Sequence, residues 1–244
     1  MSYTVVIPAR YASTRLPGKA VLDIAGKPMV AHVVDRANEA SAHRVVVATD
    51  DQRVAQALID CDCEVVMTRE DHESGSDRIA EVVEKLALSN DEIVVNVQGD
   101  EPMIPGELID SVAQRLKSSP QAAVATAALE IDGMQELDNP NAVKVVFNQL
   151  GEALYFSRSA IPFSRDGDAI SAYRHIGIYA YRAEFLKRYD RLEKSELENA
   201  EKLEQLRVLD NGDKIVVEVV ESGAGLGVDT QEDLEAVRRH FASQ

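Results

Sequence analysis

Short apolar runs alternate with amphipathic stretches through the first half of the chain. TVVI (4–7), RVVVAT (44–49), EVVM (64–67), EIVVNV (92–97) and AVATAAL (123–129) are the apolar runs. Between them, apolar positions recur at helical spacing from about Pro28 to Glu39, Asp51 to about Ile59, near Asp77 to Leu88, and Pro105 to about Leu116. Strands that read as continuous apolar runs, separated by helices, predict a parallel sheet buried on both faces. The expected architecture is therefore a doubly wound, mostly parallel α/β fold. Pro28 and Pro105 suit first-turn helix positions, and Thr230 with Asp233 predicts a capping box that starts a docked terminal helix over LEAVRRHF.

After about residue 140 the pattern changes. AVKVVF (142–147), EALYFS (152–157) and HIGIYAY (175–181) alternate more and hold three of the seven tyrosines. These strands are expected to extend or edge the main sheet and to offer a dimer surface. The polar stretch SRDGDAIS (164–171) reads as a mobile loop. A chain of 244 residues with 45% hydrophobic content can bury one substantial core, and one unit over 1–244 is the simplest organisation.

Charge narrows the function. The formal net charge of −16 argues against a nucleic-acid binder, which needs a broad basic face. No run approaches the ~18 apolar residues of a membrane span, so no membrane insertion is expected and the reading is cytoplasmic. Cys61 and Cys63 have a spacing that fits neither a zinc site nor a redox pair, and they read as reduced and structural.

Against this acidic background the first loop, PARYASTRLPGK (8–19), carries Arg10, Arg15 and Lys19 and no acid. It matches neither the G-x-x-x-x-G-K-[ST] phosphate loop nor the G-x-G-x-x-G fingerprint. Its basic side chains and backbone N–H groups still suit a triphosphate. In open α/β sheets ligands sit beyond the carboxyl ends of the strands. There QGDEP delivers Gln98, Asp100 and Glu101, and Asp100 suits Mg²⁺, which prefers hard oxygen donors. Asp229 in GVDT reads either as a second metal carboxylate or as part of an ordinary helix cap. Ser74 and Gly75 allow close approach of a flat base, while Arg78 can fork a carboxylate or lie at the surface. His175 opens an apolar strand and reads as a core or edge histidine; in EKLEQLR, Leu203 and Leu206 can face the core, which leaves Glu204, Gln205 and Arg207 to face either solvent or a site. No grouping argues for a nucleophile in the protein, so the residues alone imply an Mg²⁺-dependent enzyme acting on a nucleoside triphosphate.

The ordered set IPARYASTRLPGK, VATDD, SGSDR, VNVQGDEP, NPNAVKVV, ALYFSR, RHIGIYAYR, LEQLRVL and GVDT closely resembles the 3-deoxy-manno-octulosonate cytidylyltransferases, the CMP-Kdo synthetases of lipopolysaccharide biosynthesis. The resemblance covers essentially the whole chain. It implies a nucleotidyltransferase, Rossmann-like fold and transfer of CMP from CTP to Kdo, with release of pyrophosphate. It further implies that Arg10, Arg15 and Lys19 hold the triphosphate, with hydrogen bonds from Ser13 and Thr14. Gln98 and Ser74–Gly75 would recognise the cytidine, Asp100 and Asp229 would hold Mg²⁺, and Arg78, His175, Tyr179 and Glu204 would take the sugar. Lys19, Arg15, Asp100 and Asp229 would be the catalytic set. A homodimer is implied too, with dimer and sugar contacts at about 140–190. Ala20 stands where the family usually has proline, and the stretch between AIPF and RHIGIY is short. The 8-amino sugar is an alternative acceptor. A sialic acid is a more distant one, and an inactive nucleotide sensor is the non-enzyme alternative.

Overall fold

The computed structural model describes residues 2–13, 16–72, 74–166, 171–221 and 225–243. The first strand, β1 (Thr4–Pro8), is followed by a 3-10 turn at Lys19–Val21 and a small antiparallel hairpin, β2 (Asp23–Ile24) and β3 (Lys27–Pro28). Next come α1 (Met29–Glu39), β4 (Arg44–Thr49), α2 (Gln52–Ala57), β5 (Glu64–Met67), α3 (Gly75–Lys85), β6 (Ile93–Asn96), α4 (Gly106–Lys117) and β7 (Val124–Glu130). The second half contains α5 (Met134–Leu137), β8 (Lys144–Phe147), β9 (Ala153–Ser157), β10 (Tyr173–Arg182), α6 (Ala183–Leu186), α7 (Glu196–Glu201), α8 (Gln205–Asp210), β11 (Ile215–Val220) and α9 (Gln231–Ala242).

The main sheet runs in the order β11-β7-β10-β6-β1-β4-β5. β1 pairs in parallel with both β4 and β6, β4 with β5, and β11 with β7. Period-two alternation sends neighbouring side chains to opposite faces. Val5 and Ile7 join one core with α1, α2 and α4, while Val6 joins a second core with α3, α6 and α8. Both faces are thus covered, which is why the middle positions of β1, β4 and β6 are apolar. A third, smaller core of Leu16, Ile24, Met29, Val228, Leu234 and Val237 seats α9 against the hairpin.

Two expectations need correction. β10 does not edge the sheet: it lies antiparallel between β6 and β7, and β8 and β9 branch from its first half. Its central place follows from side chains that pack on both cores, Ile176, Ile178 and Ala180 on one and Tyr181 on the other. Pro28 and Pro105 sit one step earlier than the first turn, as the extended caps of α1 and α4 with ψ of 142° and 138°. The terminal capping box is present: Thr230 Oγ1 accepts from the Asp233 N–H, and Asp233 accepts from the Thr230 N–H. Residues 167–170 of the polar SRDGDAIS stretch lie outside the described residues.

Candidate active site

Beyond the carboxyl ends of β1 and β6 lie two adjoining cavities of about 340 and 430 Å³. The loops that form them approach very closely. A Cβ on Gly99 would stand 2.8 Å from the Pro8 carbonyl oxygen, so only glycine lets the β6 loop pass the β1 loop. Gly18, at φ 68°, turns the basic loop back through its N–H bond to the Tyr11 carbonyl and leads into the Lys19 turn.

The smaller cavity gathers Arg10, Ser13, Lys19, Ser74, Gly75, Gln98, Asp100 and Asp229 of the expected site, together with Arg78 and Glu204. Thr14 and Arg15 lie outside the described residues. Asp100 and Asp229 are far apart in sequence, yet one backbone bond joins their segments: the Val228 N–H donates to the Asp100 carbonyl at 2.9 Å. Lys19 Nζ then reaches both carboxylates, Asp100 Oδ2 at 2.6 Å and Asp229 Oδ1 at 3.0 Å. The helix cap expected of GVDT falls to Thr230, which caps α9, while the Asp229 carboxylate turns to Lys19. The loop that looks purely basic in sequence is therefore neutralised in part by acids from two other loops.

Glu101 lies directly behind this group, with Oε2 buried and without a hydrogen-bond partner among the described residues. Burial, and then the charges of Asp100 and Asp229, push its carboxyl up to about 7, against the opposing effect of Lys19. Among the described residues no three or more His, Cys, Asp and Glu side chains form a metal cage. Mg²⁺ needs no such cage, since it is commonly held by one or two carboxylates with water and phosphate oxygens completing its shell. Asp100 and Asp229 fit that requirement because their oxygens already converge on one cation, the Lys19 ammonium.

The sugar-side residues divide. Tyr179 and Glu204 line the larger cavity. Glu204 is open to solvent within a concave wall, and the protein around it raises its carboxyl above the ordinary value. Ser76 donates to Glu204 Oε2 at 3.2 Å. Arg78 is committed elsewhere: it is 3% exposed, donates to Asp50 Oδ2 at 2.6 Å, and also bonds Thr68. Its guanidinium ties α3 to the ends of β4 and β5 at the cavity wall. His175 is not brought into either cavity. Its Nε2 lies 2.9 Å from Thr126 Oγ1, and its ring packs against Phe156 and Tyr179. Burial pushes its imidazole down to about 3, so it is neutral at pH 7. Ser74 borders the cavity with its hydroxyl committed to α3: it accepts from the Asp77 N–H at 3.1 Å and donates to Asp77 Oδ2 at 2.8 Å.

Sequence reasoning missed Asn96 and Tyr181 in the larger cavity and left Gln205, which also lines it, between surface and site. Asn96 had a readable signal, a lone amide in the apolar run IVVNV, and its Oδ1 is buried without a partner among the described residues. Tyr181 had none, because its strand is placed by long-range packing.

Residues 4–215 match the family model described as Cytidylyltransferase. The chain belongs to the cytidylyltransferase family. A solved CMP:2-keto-3-deoxy-manno-octonic acid synthetase, complexed with CTP, is 45% identical over 99% of this chain and 98% of its own, with a TM-score of 0.93. A cytidylyltransferase from Leptospira borgpetersenii serovar Hardjo-bovis covers 100% of this chain and 87% of its own at 17% identity and a TM-score of 0.65, and shares the fold. As a cytidylyltransferase, the chain needs a triphosphate subsite and an acceptor subsite side by side. The two adjoining cavities have that arrangement, sharing Gln98, Asp100 and Asp229 on their common wall.

Proposed function

We propose that this cytidylyltransferase transfers CMP from CTP to 3-deoxy-manno-octulosonate, releasing pyrophosphate, as a step toward lipopolysaccharide. The observation that carries the reading is the carboxylate pair Asp100 and Asp229 beside Lys19, in a cavity that continues into a polar acceptor cavity. The 45%-identical synthetase solved with CTP supports both substrates. Among the described residues no helix is long and apolar enough to cross a membrane. The proposed location is the cytoplasm, where the free thiols of Cys61 and Cys63 stay reduced.

Arg10, Ser13 and Lys19 line the triphosphate side, and their positive charge and hydrogen bonds would orient the α-phosphate and neutralise the departing pyrophosphate. Gly75 and Gln98 lie on the same cavity wall, where a flat base can approach backbone closely. Tyr179, Asn96 and Glu204 line the neighbouring cavity and would hold the acceptor's hydroxyls with its 2-hydroxyl facing the α-phosphorus. That hydroxyl attacks in line, forming the new P–O bond as the bond to pyrophosphate breaks. Asp100 and Asp229 would hold Mg²⁺, which when bound supplies Lewis-acid polarisation of the phosphoryl oxygen and a lowered hydroxyl pKa.

Pyrophosphate release from CTP, Mg²⁺ and each of Kdo, 8-amino-Kdo and N-acetylneuraminate tests the reading. Kdo is expected to be the fastest acceptor, and absence of turnover with all three by folded, CTP-binding protein would reject the enzyme reading. Asp229→Ala should keep its unfolding midpoint and lose at least ~100-fold in kcat, of the order expected when one preorganised charge contact is removed. A rate near wild type would remove Asp229 from the metal site.

A further inference from the structure

We propose that Lys19 is an exchangeable internal cation: before nucleotide arrives its ammonium holds the position between Asp100 and Asp229 that a divalent ion would take, so nucleotide binding makes the metal site available. This rests on the cytidylyltransferase reading for the identity of the incoming anion, but not on the sugar.

The geometry is direct. Nζ donates to Asp100 Oδ2 at 2.6 Å and to Asp229 Oδ1 at 3.0 Å, taking one oxygen of each carboxylate. The Lys19 side chain is 13% exposed, whereas Asp100 and Asp229 are 37% and 64% exposed, so the ammonium is the better sheltered member of the three. A divalent ion ligated at about 2 Å needs the same oxygen lone pairs and meets a like charge beside them. The ammonium and the ion therefore exclude each other.

Only the side chain has to move. The Lys19 backbone is fixed in its 3-10 turn by the Lys19 N–H bond to Leu16 and by the Val21 N–H bond to Gly18, at 3.1 and 2.9 Å. The four-methylene stem can swing, and Arg10 and Ser13 line the same cavity, so phosphate oxygens bound there offer the ammonium a second anionic partner. Once Lys19 turns to the phosphates, Asp100 Oδ2 and Asp229 Oδ1 lose the ammonium contact that competes with a divalent ion. The nucleotide and the metal then bind cooperatively, and linkage requires each to tighten the other by the same factor.

Mn²⁺ is the probe, titrated into the nucleotide-free 244-residue chain with the free ion read by electron spin resonance. We expect Lys19→Met to bind Mn²⁺ at least tenfold more tightly than wild type, and the gain to vanish when Asp229→Asn is added. Lys19→Gln is measured beside it, and circular dichroism selects the variant that retains the wild-type fold. Equal Mn²⁺ affinity in wild type and the folded Lys19 variant overturns the inference, as does a gain that survives Asp229→Asn. Turnover is not read in this experiment, so it fails or stands separately from the pyrophosphate assay.

Discussion

Glu81 shows how a single carboxylate ties the cavity wall together. It sits on α3 with its side chain 13% exposed, accepts from the Arg69 N–H at 3.0 Å, pairs with Lys85 at 2.8 Å, and bonds the cavity-lining His72. Burial alone would raise its pKa, but bonds from Lys85, the Arg69 N–H and His72 outweigh burial and hold it at about 2, below its ordinary 4.5. Its contribution is present above pH 4.5 and is lost as the pH falls toward 2. By linkage that loss reaches on the order of 2 kcal/mol at pH 3. Urea unfolding of Glu81→Gln should therefore show a gap between pH 7 and pH 3 narrower than that of wild type by about this amount. An unchanged gap would mean that these partners do not hold the carboxylate. At the same scale, Lys19, Asp100, Gln98 and Gly75 were legible because each falls in a loop that a parallel strand must deliver to one edge. The Arg78 contacts were not, since Asp50 and Thr68 reach it from two other strand ends.

Among the elements, α7 and α8 depend most on one interaction. Arg207 on α8 donates to both oxygens of Glu198 on α7 at 2.8 and 2.5 Å, both residues are buried, and the guanidinium lies over the Tyr189 ring. These short helices have little intrinsic stability, so the pair fixes the turn that presents Glu204 and Gln205 to the larger cavity. Removing one partner strands a buried charge, and Glu198→Ala is expected to lower unfolding stability by about 3–5 kcal/mol. Denaturant titration checks this, and a loss under ~1 kcal/mol would place the pair among weak surface bridges. The apolar period identified Leu203 and Leu206 as inward-facing, and both are buried. It could not place Glu204, because residues beside an apolar stripe face water or a cavity according to what packs opposite. β10 was misplaced for a related reason: alternation suggested an edge, whereas its polar atoms are satisfied within the sheet, where Thr126 Oγ1 donates to the Ile178 carbonyl at 2.8 Å across the bulge.

For the whole molecule, the charge of −16 has to coexist with two anionic substrates. Local compensation is the means: the basic side chains and the Asp100 and Asp229 carboxylates share one cavity, and long-range repulsion from the exterior is screened beyond about 8–10 Å at ordinary ionic strength. We propose a homodimer, with exposed Leu154 on β9 and Val219 on β11 among the apolar residues available for a contact. Light scattering at micromolar concentration should then give twice the 26.7 kDa chain mass, and the chain mass alone would count against the dimer.

The sequence by itself determined the layered α/β architecture, because strands buried on both faces must be apolar throughout and their helices must carry one apolar stripe. It also placed the basic loop and the QGDEP carboxylate at the ligand edge, since both directly follow apolar strands. The tertiary structure decided what only distant backbone can arrange: the pairing of Asp229 with Asp100 through the Val228 N–H, the burial of Glu101 behind them, and the insertion of β10 between β6 and β7. Local patterns record which way a side chain faces. They do not record which remote segment it meets, and only the tertiary structure brings Lys19 to two remote carboxylates.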